Sequence, residues 1–488
     1  MSIEQNEERR QKVEALRQAG VDPYPVGFKQ TVEAAQLHAR YGDLDAEAST
    51  GETASVAGRL MGKRDLGKLS FGVLQDRSGR IQLFADVGTL GDQLAAFSDL
   101  DLGDLVGVTG EVITTKKGEL SVRVEQFQLL AKSLWPMPEK WHGLADVETR
   151  YRQRYLDLIS NDEARRVFGV RAGVLRELRR AFEDRGYVEV ETPVLQNQAG
   201  GALAQPFQTH HNALSLDMYL RIALELHLKR LIIGGIDKVF EIGRVFRNEG
   251  VSPQHNPEFT MLESYEAYAD YEDIMRLVEE TVSRVAEAVT GFSQIEYRGR
   301  SLDLSPPWQR RPFMELITDA TGREWDPGMG VDEARAAAAE LGVEVEVGGT
   351  GKVLEELFER LVEPDLWDPT FVVDFPKEIS PFARDHRSKP GLVERFEGFI
   401  AGIESCNAFT ELNDPEEQLR RFEAQAVARA QGDEEAHVTD LDFVHAMEYG
   451  MPPTGGLGIG VDRLAMILAD VATLREVILF PHMRPADE

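Results

Sequence analysis

The chain has 488 residues, of which 54 are basic and 84 are acidic, so its formal net charge is −30. This charge excludes a generally basic nucleic-acid coat protein, although a nucleic acid could still meet a local patch. The single cysteine, Cys406, excludes a disulfide framework and any multi-cysteine zinc or iron–sulfur site. The chain has no apolar start and no run of about 18 apolar residues. We therefore expect a cytoplasmic protein without a membrane span.

Residues 54–132 differ from the rest of the chain because they hold ten basic and ten acidic side chains and are formally neutral. Five strand-like runs recur in this segment, and a helix-like stretch at 90–102 follows the third run. The runs span 54–61, 69–75, 80–86, 104–113 and 119–130. This order predicts a five-stranded Greek-key β-barrel of the OB type. A charged helix, Glu7–Gln18, is predicted within an N-terminal extension, 1–53, and residues 133–149 are predicted to be a linker.

Barrels of this type bind single-stranded nucleic acid by stacking its bases on aromatic rings beside positive side chains. Phe71, Gln82 and Phe84 lie on predicted strands, with Arg64 and Lys68 nearby. Burial of the two phenylalanines in the barrel core explains this segment equally well.

Two glycine-rich stretches fail the tests for common nucleotide-binding motifs. If Gly351 and Lys352 belonged to a phosphate-binding loop, the motif would require a glycine at position 346 and a side-chain hydroxyl at position 353. Glu346 and Val353 stand at these positions. We interpret 348–353 as a flexible loop. The stretch 456–461 lacks the third glycine or alanine of a dinucleotide fingerprint.

Three other elements indicate a function when they are taken together. The first is an amphipathic helix over 162–186, followed by a strand over 187–193. The second is a pair of antiparallel strands, 239–250 and 258–265, around a loop; their alternation places Phe259, Met261, Glu263 and Tyr265 on one face. An arginine, an aromatic ring, a glutamate and a tyrosine in one place suit a phosphate, a flat base and a cationic substrate, although a structural ion pair is the alternative.

The third element is a glycine-rich strand-to-helix turn over 455–464. Glycines allow the backbone to approach a ligand closely. The helix that begins near Val461 directs its positive end towards a phosphate, and Arg463 lies in its first turn.

Together, these elements resemble the three signature motifs of class II aminoacyl-tRNA synthetases, most specifically at 246–250 and 456–463. The predicted OB-type barrel lies N-terminal to these motifs, an order that is typical of the aspartyl, asparaginyl and lysyl enzymes among the class II synthetases. Within this subgroup, four segments are similar to bacterial lysyl-tRNA synthetases: 150–158, 220–226, 255–261 and 407–415. The resemblance implies an α+β protein in which residues 150–488 form a catalytic domain, an antiparallel sheet flanked by helices. A helical insertion at about 310–370 is expected within it.

The chemistry of the candidate residues agrees with lysine as the amino acid. A pocket for aspartate should offer basic side chains, whereas here Glu225, Glu263 and Glu411 offer carboxylates. Such a pocket favours a substrate with two ammonium groups. By resemblance, the lysine-binding residues are Gly201, Glu225, Arg247, Glu263, Tyr265, Asn407, Phe409 and Glu411.

The resemblance also implies the remaining sites. Arg247 and Arg463 are the expected catalytic residues, and Glu397 and Glu404 are the expected ligands of Mg²⁺. The expected ATP-binding residues are Arg247, Glu249, His255, Asn256, Phe259, Glu397, Glu404, Gly458, Gly460 and Arg463. The expected anticodon-binding residues are Arg64, Phe71, Gln82, Phe84 and Glu119. The expected partners are L-lysine, ATP, tRNA(Lys) and a second copy of the chain, since the helix-strand unit of the first element resembles the homodimer interface of this class.

Two alternative functions are considered. One is a paralogue that lysylates a protein rather than tRNA; such relatives lack the barrel. The other is an inactive regulatory or RNA-binding paralogue, which usually loses motif residues such as Arg247, Phe259 and Arg463.

Overall fold

The structure is a computed structural model that describes residues 3–137, 146–198, 200–202, 204–430 and 439–485. The chain forms two compact units, Met1–Ala145 and Asp146–Glu488. The division falls inside the predicted linker, 133–149, of which residues 138–145 lie outside the described residues. Within the described ranges, no helix combines the length and apolar character needed to cross a membrane.

The first unit has two helices followed by five strands, with two short helices between the third and fourth strands. These elements are α1 (Ile3–Gln18), α2 (Ala34–Tyr41), β1 (Ser49–Asp65), β2 (Leu69–Gln75), β3 (Arg80–Asp86), α3 (Val87–Leu90), α4 (Gln93–Ser98), β4 (Leu105–Thr114) and β5 (Leu120–Ala131).

The five strands close into a barrel in the order β1-β2-β3-β5-β4, which confirms the predicted OB-type topology. Alternate residues of each strand point inwards and fill the barrel with aliphatic side chains such as Val56, Leu83 and Val122. Phe71 and Phe84 are absent from this core; both are half-buried, on the outer face of their strands. The interpretation of these rings as core residues is therefore wrong. The first strand begins at Ser49, five residues earlier than expected.

The second unit contains the remaining helices and strands. The helices are α5 (Val147–Arg152), α6 (Arg154–Ser160), α7 (Asp162–Glu183), α8 (Glu225–Ile233), α9 (Tyr271–Thr290), α10 (Phe313–Thr321), α11 (Val331–Glu340), α12 (Thr350–Leu361), α13 (Pro415–Ala430), α14 (Leu441–Glu448), α15 (Val461–Leu468) and α16 (Leu474–Val477), with 3-10 turns at Glu363–Asp365 and Lys377–Ile379. The strands are β6 (Val188–Glu189), β7 (Leu195–Gln196), β8 (Gln208–His211), β9 (Leu216–Leu220), β10 (Lys238–Phe246), β11 (Glu258–Ala267), β12 (Gln294–Tyr297), β13 (Arg300–Asp303), β14 (Gln309–Pro312), β15 (Thr370–Val373), β16 (Arg395–Ile400), β17 (Ile403–Thr410) and β18 (Thr454–Gly460).

An eight-stranded sheet organises this unit, in the order β14-β15-β16-β17-β18-β11-β10-β6. Its six central strands pair antiparallel, and only the outermost strand at each edge pairs parallel. Helices α7, α9 and α15 share a hydrophobic core with the sheet, through side chains such as Phe182, Val278 and Leu464. This arrangement confirms the expected antiparallel sheet flanked by helices.

Helix α7 forms because apolar residues recur on one face, of which Val174, Leu178 and Phe182 are fully buried. The side chain of Asn161 caps its first turn by accepting a hydrogen bond from the backbone of Glu163 at 3.1 Å. The strand predicted after it is much shorter than expected: only Val188–Glu189 pairs, parallel to β10. The prediction of a strand over 187–193 is therefore largely wrong. After Val190, which donates to the carbonyl of Phe240 at 2.9 Å, the backbone N–H of Thr192 donates to the side chain of Glu241 instead of the backbone of β10.

The interpretation of 348–353 as a flexible loop is also wrong. Helix α12 begins at Thr350, and Thr350, Gly351 and Val353 are buried. The carboxylate of Glu378 accepts a hydrogen bond from the backbone N–H of Gly351 at 2.8 Å, which satisfies one of the free donors of the first turn. Helices α10, α11 and α12 connect the adjacent parallel strands β14 and β15, so they lie within the sequence range of the expected insertion.

Candidate active site

Strand β18, in the interior of the sheet, is rich in glycine and leaves one face of the sheet locally without side chains. In β18, Gly456 and Gly458 occupy alternate positions and therefore face the same side of the sheet. Gly458 is paired with Glu263 of β11 and Asn407 of β17, while Gly456 is paired with Tyr265 and Phe409. The glycine strand therefore forms a trough in the sheet surface, bounded on either side by side chains of β11 and β17.

A cavity of about 350 Å³ lies over this trough. All eight residues predicted to bind lysine line it: Gly201, Glu225, Arg247, Glu263, Tyr265, Asn407, Phe409 and Glu411. They come from α8, β11, β17 and the loops beside them, so the sheet brings together residues that are far apart in sequence. Their individual roles stay predictions.

The carboxylate of Glu263 is held in a fixed position within this cavity. One oxygen accepts a hydrogen bond from the backbone N–H of Leu224 at 2.9 Å, and the other accepts one from the hydroxyl of Tyr265 at 3.2 Å. Burial raises the pKa of Glu263 to about 7, and the neighbouring carboxylate of Glu225 acts in the same direction. Glu263 therefore titrates near neutral pH when no cation neutralises it.

The other two carboxylates share a partner that the sequence analysis missed. Lys229 is fully buried, and its Nζ contacts Oε1 of Glu225 and Oε2 of Glu411. The second oxygen of Glu411, Oε1, has no hydrogen-bond partner among the described residues. A side chain at Gly456 would collide with this oxygen, which explains why a glycine is needed there.

A second cavity, of about 270 Å³, adjoins the first and shares Arg247, Met261, Glu404, Asn407 and Gly458 with it. Nine of the ten residues predicted to bind ATP line the second cavity: Arg247, Glu249, His255, Asn256, Phe259, Glu404, Gly458, Gly460 and Arg463. The tenth, Glu397, lines the first cavity only. The predicted ATP-binding residues therefore meet the predicted lysine-binding residues at Arg247.

Arg247 follows β10 directly, and its backbone N–H donates to the carbonyl of Pro257 at 2.8 Å, which closes the loop between β10 and β11. Its guanidinium lies 5.2 Å from the centre of the Phe259 ring. This places a cation between the two cavities and an aromatic face in the second one.

Two loop residues are held by local hydrogen bonds. The Nδ1 atom of His255 lies 2.9 Å from the hydroxyl of Ser252, and the side-chain amide of Asn256 donates to the carbonyl of Glu258 at 2.6 Å. Burial lowers the pKa of His255, and the charge of Arg463 acts in the same direction. His255 is therefore neutral near pH 7.

The two carboxylates predicted to bind Mg²⁺ are each paired with an arginine. Arg395 donates to Glu397 at 2.7 Å, and Arg463 donates to Glu404 at 2.8 Å. Burial raises the pKa of Glu397 to about 8, and the carboxylate of Glu404 acts in the same direction. Within the described part of the chain, no cluster of three or more metal-binding side chains occurs. The pair suits Mg²⁺, which commonly takes one or two carboxylates and completes its shell with phosphates and water.

Arg395 is a second residue that the sequence analysis missed. Its guanidinium donates to Asn407 at 3.2 Å as well as to Glu397, and it lies 4.6 Å from the ring of Phe375. It therefore links a predicted lysine-binding residue to a predicted metal ligand. Strand alternation could have found it, because Arg395 and Glu397 are two residues apart and face the same side of β16.

A third cavity, of about 950 Å³, lies on the outer face of the barrel. All five residues predicted to bind the anticodon line it: Arg64, Phe71, Gln82, Phe84 and Glu119. The rings of Phe71 and Phe84 lie edge to face at 5.4 Å, and the guanidinium of Arg123 lies 5.8 Å from the Phe84 ring. Aromatic faces beside basic groups are the arrangement that stacking of single-stranded bases requires.

Comparisons with known proteins divide the chain as the fold does. The family described as tRNA synthetases class II (D, K and N) matches residues 146–484, and the OB-fold nucleic acid binding domain matches residues 54–130.

Curated relatives match almost the whole chain. The chain is 52% identical to a lysine–tRNA ligase of Moorella thermoacetica, with 98% of each chain covered. It is 53% identical to one of Synechococcus sp. (strain CC9311), with 99% of each covered, and 51% identical to one of Carboxydothermus hydrogenoformans, with 98% of each covered. The chain therefore belongs to the lysine–tRNA ligase family, within the class II tRNA synthetases.

Proposed function

We propose that this enzyme activates L-lysine with ATP and transfers the lysyl group to the 3′ end of tRNA(Lys). The observation that carries the proposal is the meeting of two cavities at Arg247: one holds three buried carboxylates, and the other holds an aromatic ring and basic side chains. The first suits an amino acid with two ammonium groups, and the second suits a nucleoside triphosphate.

In the first step, a carboxylate oxygen of lysine attacks the α-phosphorus of ATP, and the bond to pyrophosphate breaks with the electron pair leaving on pyrophosphate. Two anions must meet, so charge neutralisation and alignment supply most of the rate increase. Arg247 is the proposed group that neutralises both the lysine carboxylate and the α-phosphate. Phe259 stacks on adenine in this proposal, and Arg463 covers the other face and reaches the γ-phosphate.

Magnesium bound by Glu397 and Glu404 would supply further positive charge to the phosphates. Arg395 now donates to Glu397 and Arg463 to Glu404, so these are the two carboxylates that would hold the metal and the two guanidiniums that lie beside them.

In the second step, the terminal ribose hydroxyl of tRNA attacks the carbonyl carbon of the mixed anhydride, and AMP leaves. No side chain is assigned as the general base. The barrel cavity around Phe71 and Phe84 is the proposed anticodon site, and we further propose that the enzyme works in the cytoplasm as a homodimer.

Lysine-dependent exchange between ATP and pyrophosphate tests the first step, and charging of tRNA(Lys) tests the second. We expect both activities, with aspartate and asparagine as matched control substrates that support neither. Exchange with aspartate in place of lysine would contradict the proposal. Exchange without tRNA charging would favour the protein-lysylating alternative, and the absence of both activities would favour the regulatory one.

A further inference from the structure

Lys229 is a fully buried ammonium in the wall of the first cavity. It lies on α8, one helical turn after Glu225, and contacts the carboxylates of Glu225 and Glu411. Aromatic rings surround it: the centre of the Phe382 ring lies 4.8 Å from Nζ, and that of Phe409 lies 5.5 Å away. A charge in such surroundings is costly unless it is paired, so the ion pairs fix Lys229 in place.

The position of Lys229 distinguishes it from a substrate-binding residue. It does not appear among the described residues that line the cavity, whereas Glu225 and Glu411 both do. It therefore reaches both carboxylates from behind the cavity wall. Oε2 of Glu411 lies within ion-pair distance of Lys229, and Oε1 has no hydrogen-bond donor within the described chain.

We propose that Lys229 is a positioning residue that holds Glu225 and Glu411 in fixed, ionised positions from behind the pocket, so that their remaining oxygens receive the two ammonium groups of lysine. This inference rests on the proposed function.

The charges of the site agree with this role. Glu225, Glu263 and Glu411 carry three negative charges when ionised, and Lys229 neutralises one of them. Of these three charges, two remain for the two ammonium groups of lysine. The cavity is also lined by Arg247 and Arg395 and by further carboxylates on other elements, Glu355, Glu359, Glu363, Glu397 and Glu404. Burial raises the pKa of Glu225 and of Glu411, and the charge of Lys229 opposes that rise for both. Without Lys229, protons would compete with the substrate for these carboxylates.

The test replaces Lys229 by methionine, which is unbranched and only one atom shorter, and which removes the charge. We expect the KM for lysine in ATP–pyrophosphate exchange to rise at least about tenfold, because the unsupported carboxylates take up protons. The KM for ATP should change less than about twofold, since Lys229 does not reach the second cavity. Lys229→Arg, which keeps the charge, should recover part of the affinity. Lys238→Met, at a half-exposed lysine paired with Glu266, is the matched control and should leave both constants unchanged.

A pH profile separates positioning from a merely structural role. In Lys229→Met, the KM for lysine should fall more steeply with rising pH than in the wild type, because burial raises the pKa of Glu225 and of Glu411 and the charge of Lys229 no longer opposes that rise. Glu263, Tyr265 and Arg247 also face these groups but are unchanged in the variant. An unaltered KM for lysine, or equal losses for lysine and ATP with no change in the pH profile, would overturn the inference.

Proton release on lysine binding tests the same inference in the unaltered enzyme, whether or not the variants fold. Glu263, Glu363 and Glu397 line the first cavity with pKa values raised to about 7 or 8, so calorimetry in buffers of different ionisation enthalpy should detect no more protons released near pH 7 than these three carboxyls can supply. Release of clearly more than three protons would mean that Glu225 or Glu411 is also protonated before lysine binds, which would contradict the inference. A wild-type enzyme that shows no lysine-dependent exchange would instead contradict the proposed function.

Discussion

The lysine pocket and the outer face of the barrel differ in the interactions that they offer to their expected ligands: the first offers buried charges and the second offers solvent-exposed aromatic rings and basic side chains. Three buried carboxylates line the pocket, a cavity of about 350 Å³, and the buried ammonium of Lys229 contacts two of them from behind, so that the charges interact strongly. The barrel presents two half-buried rings and several basic side chains around a cavity of about 950 Å³. Contact with solvent at this face weakens each charge, so stacking area and the number of contacts matter more.

This difference shows why the net charge of the chain says little about its partners. The chain carries −30, yet residues 54–132 are formally neutral. The carboxylates that line the pocket are too few to explain the excess of acidic residues, most of which are surface groups. The proposed tRNA contacts therefore depend on local basic side chains such as Arg64 and Arg123.

The largest expected effect is that of Arg247→Ala on the pocket side of this comparison. Removing the cation between the two cavities should lower lysine-dependent exchange by at least about a thousandfold, because the two anionic reactants then repel each other. Arg276→Ala, at an exposed arginine of α9 paired with Asp273, is the control and should retain full activity. Exchange within tenfold of wild type in Arg247→Ala would remove Arg247 from the proposed mechanism.

A smaller effect, confined to the second step, is expected from Phe71→Ala on the barrel. Loss of one stacking ring should raise the KM for tRNA(Lys) by about tenfold or more and leave ATP–pyrophosphate exchange unchanged. Leu102→Ala, at an exposed residue of the same unit that does not line the cavity, is the control and should leave tRNA charging intact. Equal loss of both activities in Phe71→Ala would contradict the division of labour between the two units.

The smallest expected effect is a pH dependence of lysine binding. Because burial raises the pKa of Glu263 to about 7, the carboxylate is protonated below that pH and attracts ammonium groups only above it. The KM for lysine should therefore fall by about three- to fivefold between pH 6.5 and pH 8. Glu263→Gln should bind lysine more weakly and show a flatter profile, and a profile of unchanged slope in this variant would assign the titration to another group.

Strand periodicity made much of the site predictable from the sequence. Alternation over 259–265 and over 407–411 identified the faces that now line the first and second cavities, because the period of a strand is fixed by its geometry. The barrel topology was predictable for the same reason. The roles of these residues in binding stay predictions.

Lys229 and the start of α12 could not be predicted because their partners are distant in sequence. Lys229 follows Leu228 and precedes Arg230, a pattern typical of a solvent-exposed helix face, and nothing nearby indicates that Glu411 packs against it. Likewise, the glycines at 348–351 indicate a loop until Glu378 caps the helix. In both places, a tertiary contact outweighs the local signal.

The position of Arg395 has a consequence for how the two substrates affect each other's binding. One guanidinium donates to both Glu397 and Asn407, so a ligand that draws away either acceptor changes the environment of the other. If ATP with its metal and lysine use these two acceptors, their affinities are thermodynamically linked. Whatever factor lysine applies to the dissociation constant of ATP, ATP must apply to that of lysine. Arg395 would then couple the binding of the two substrates, although each lies in its own cavity.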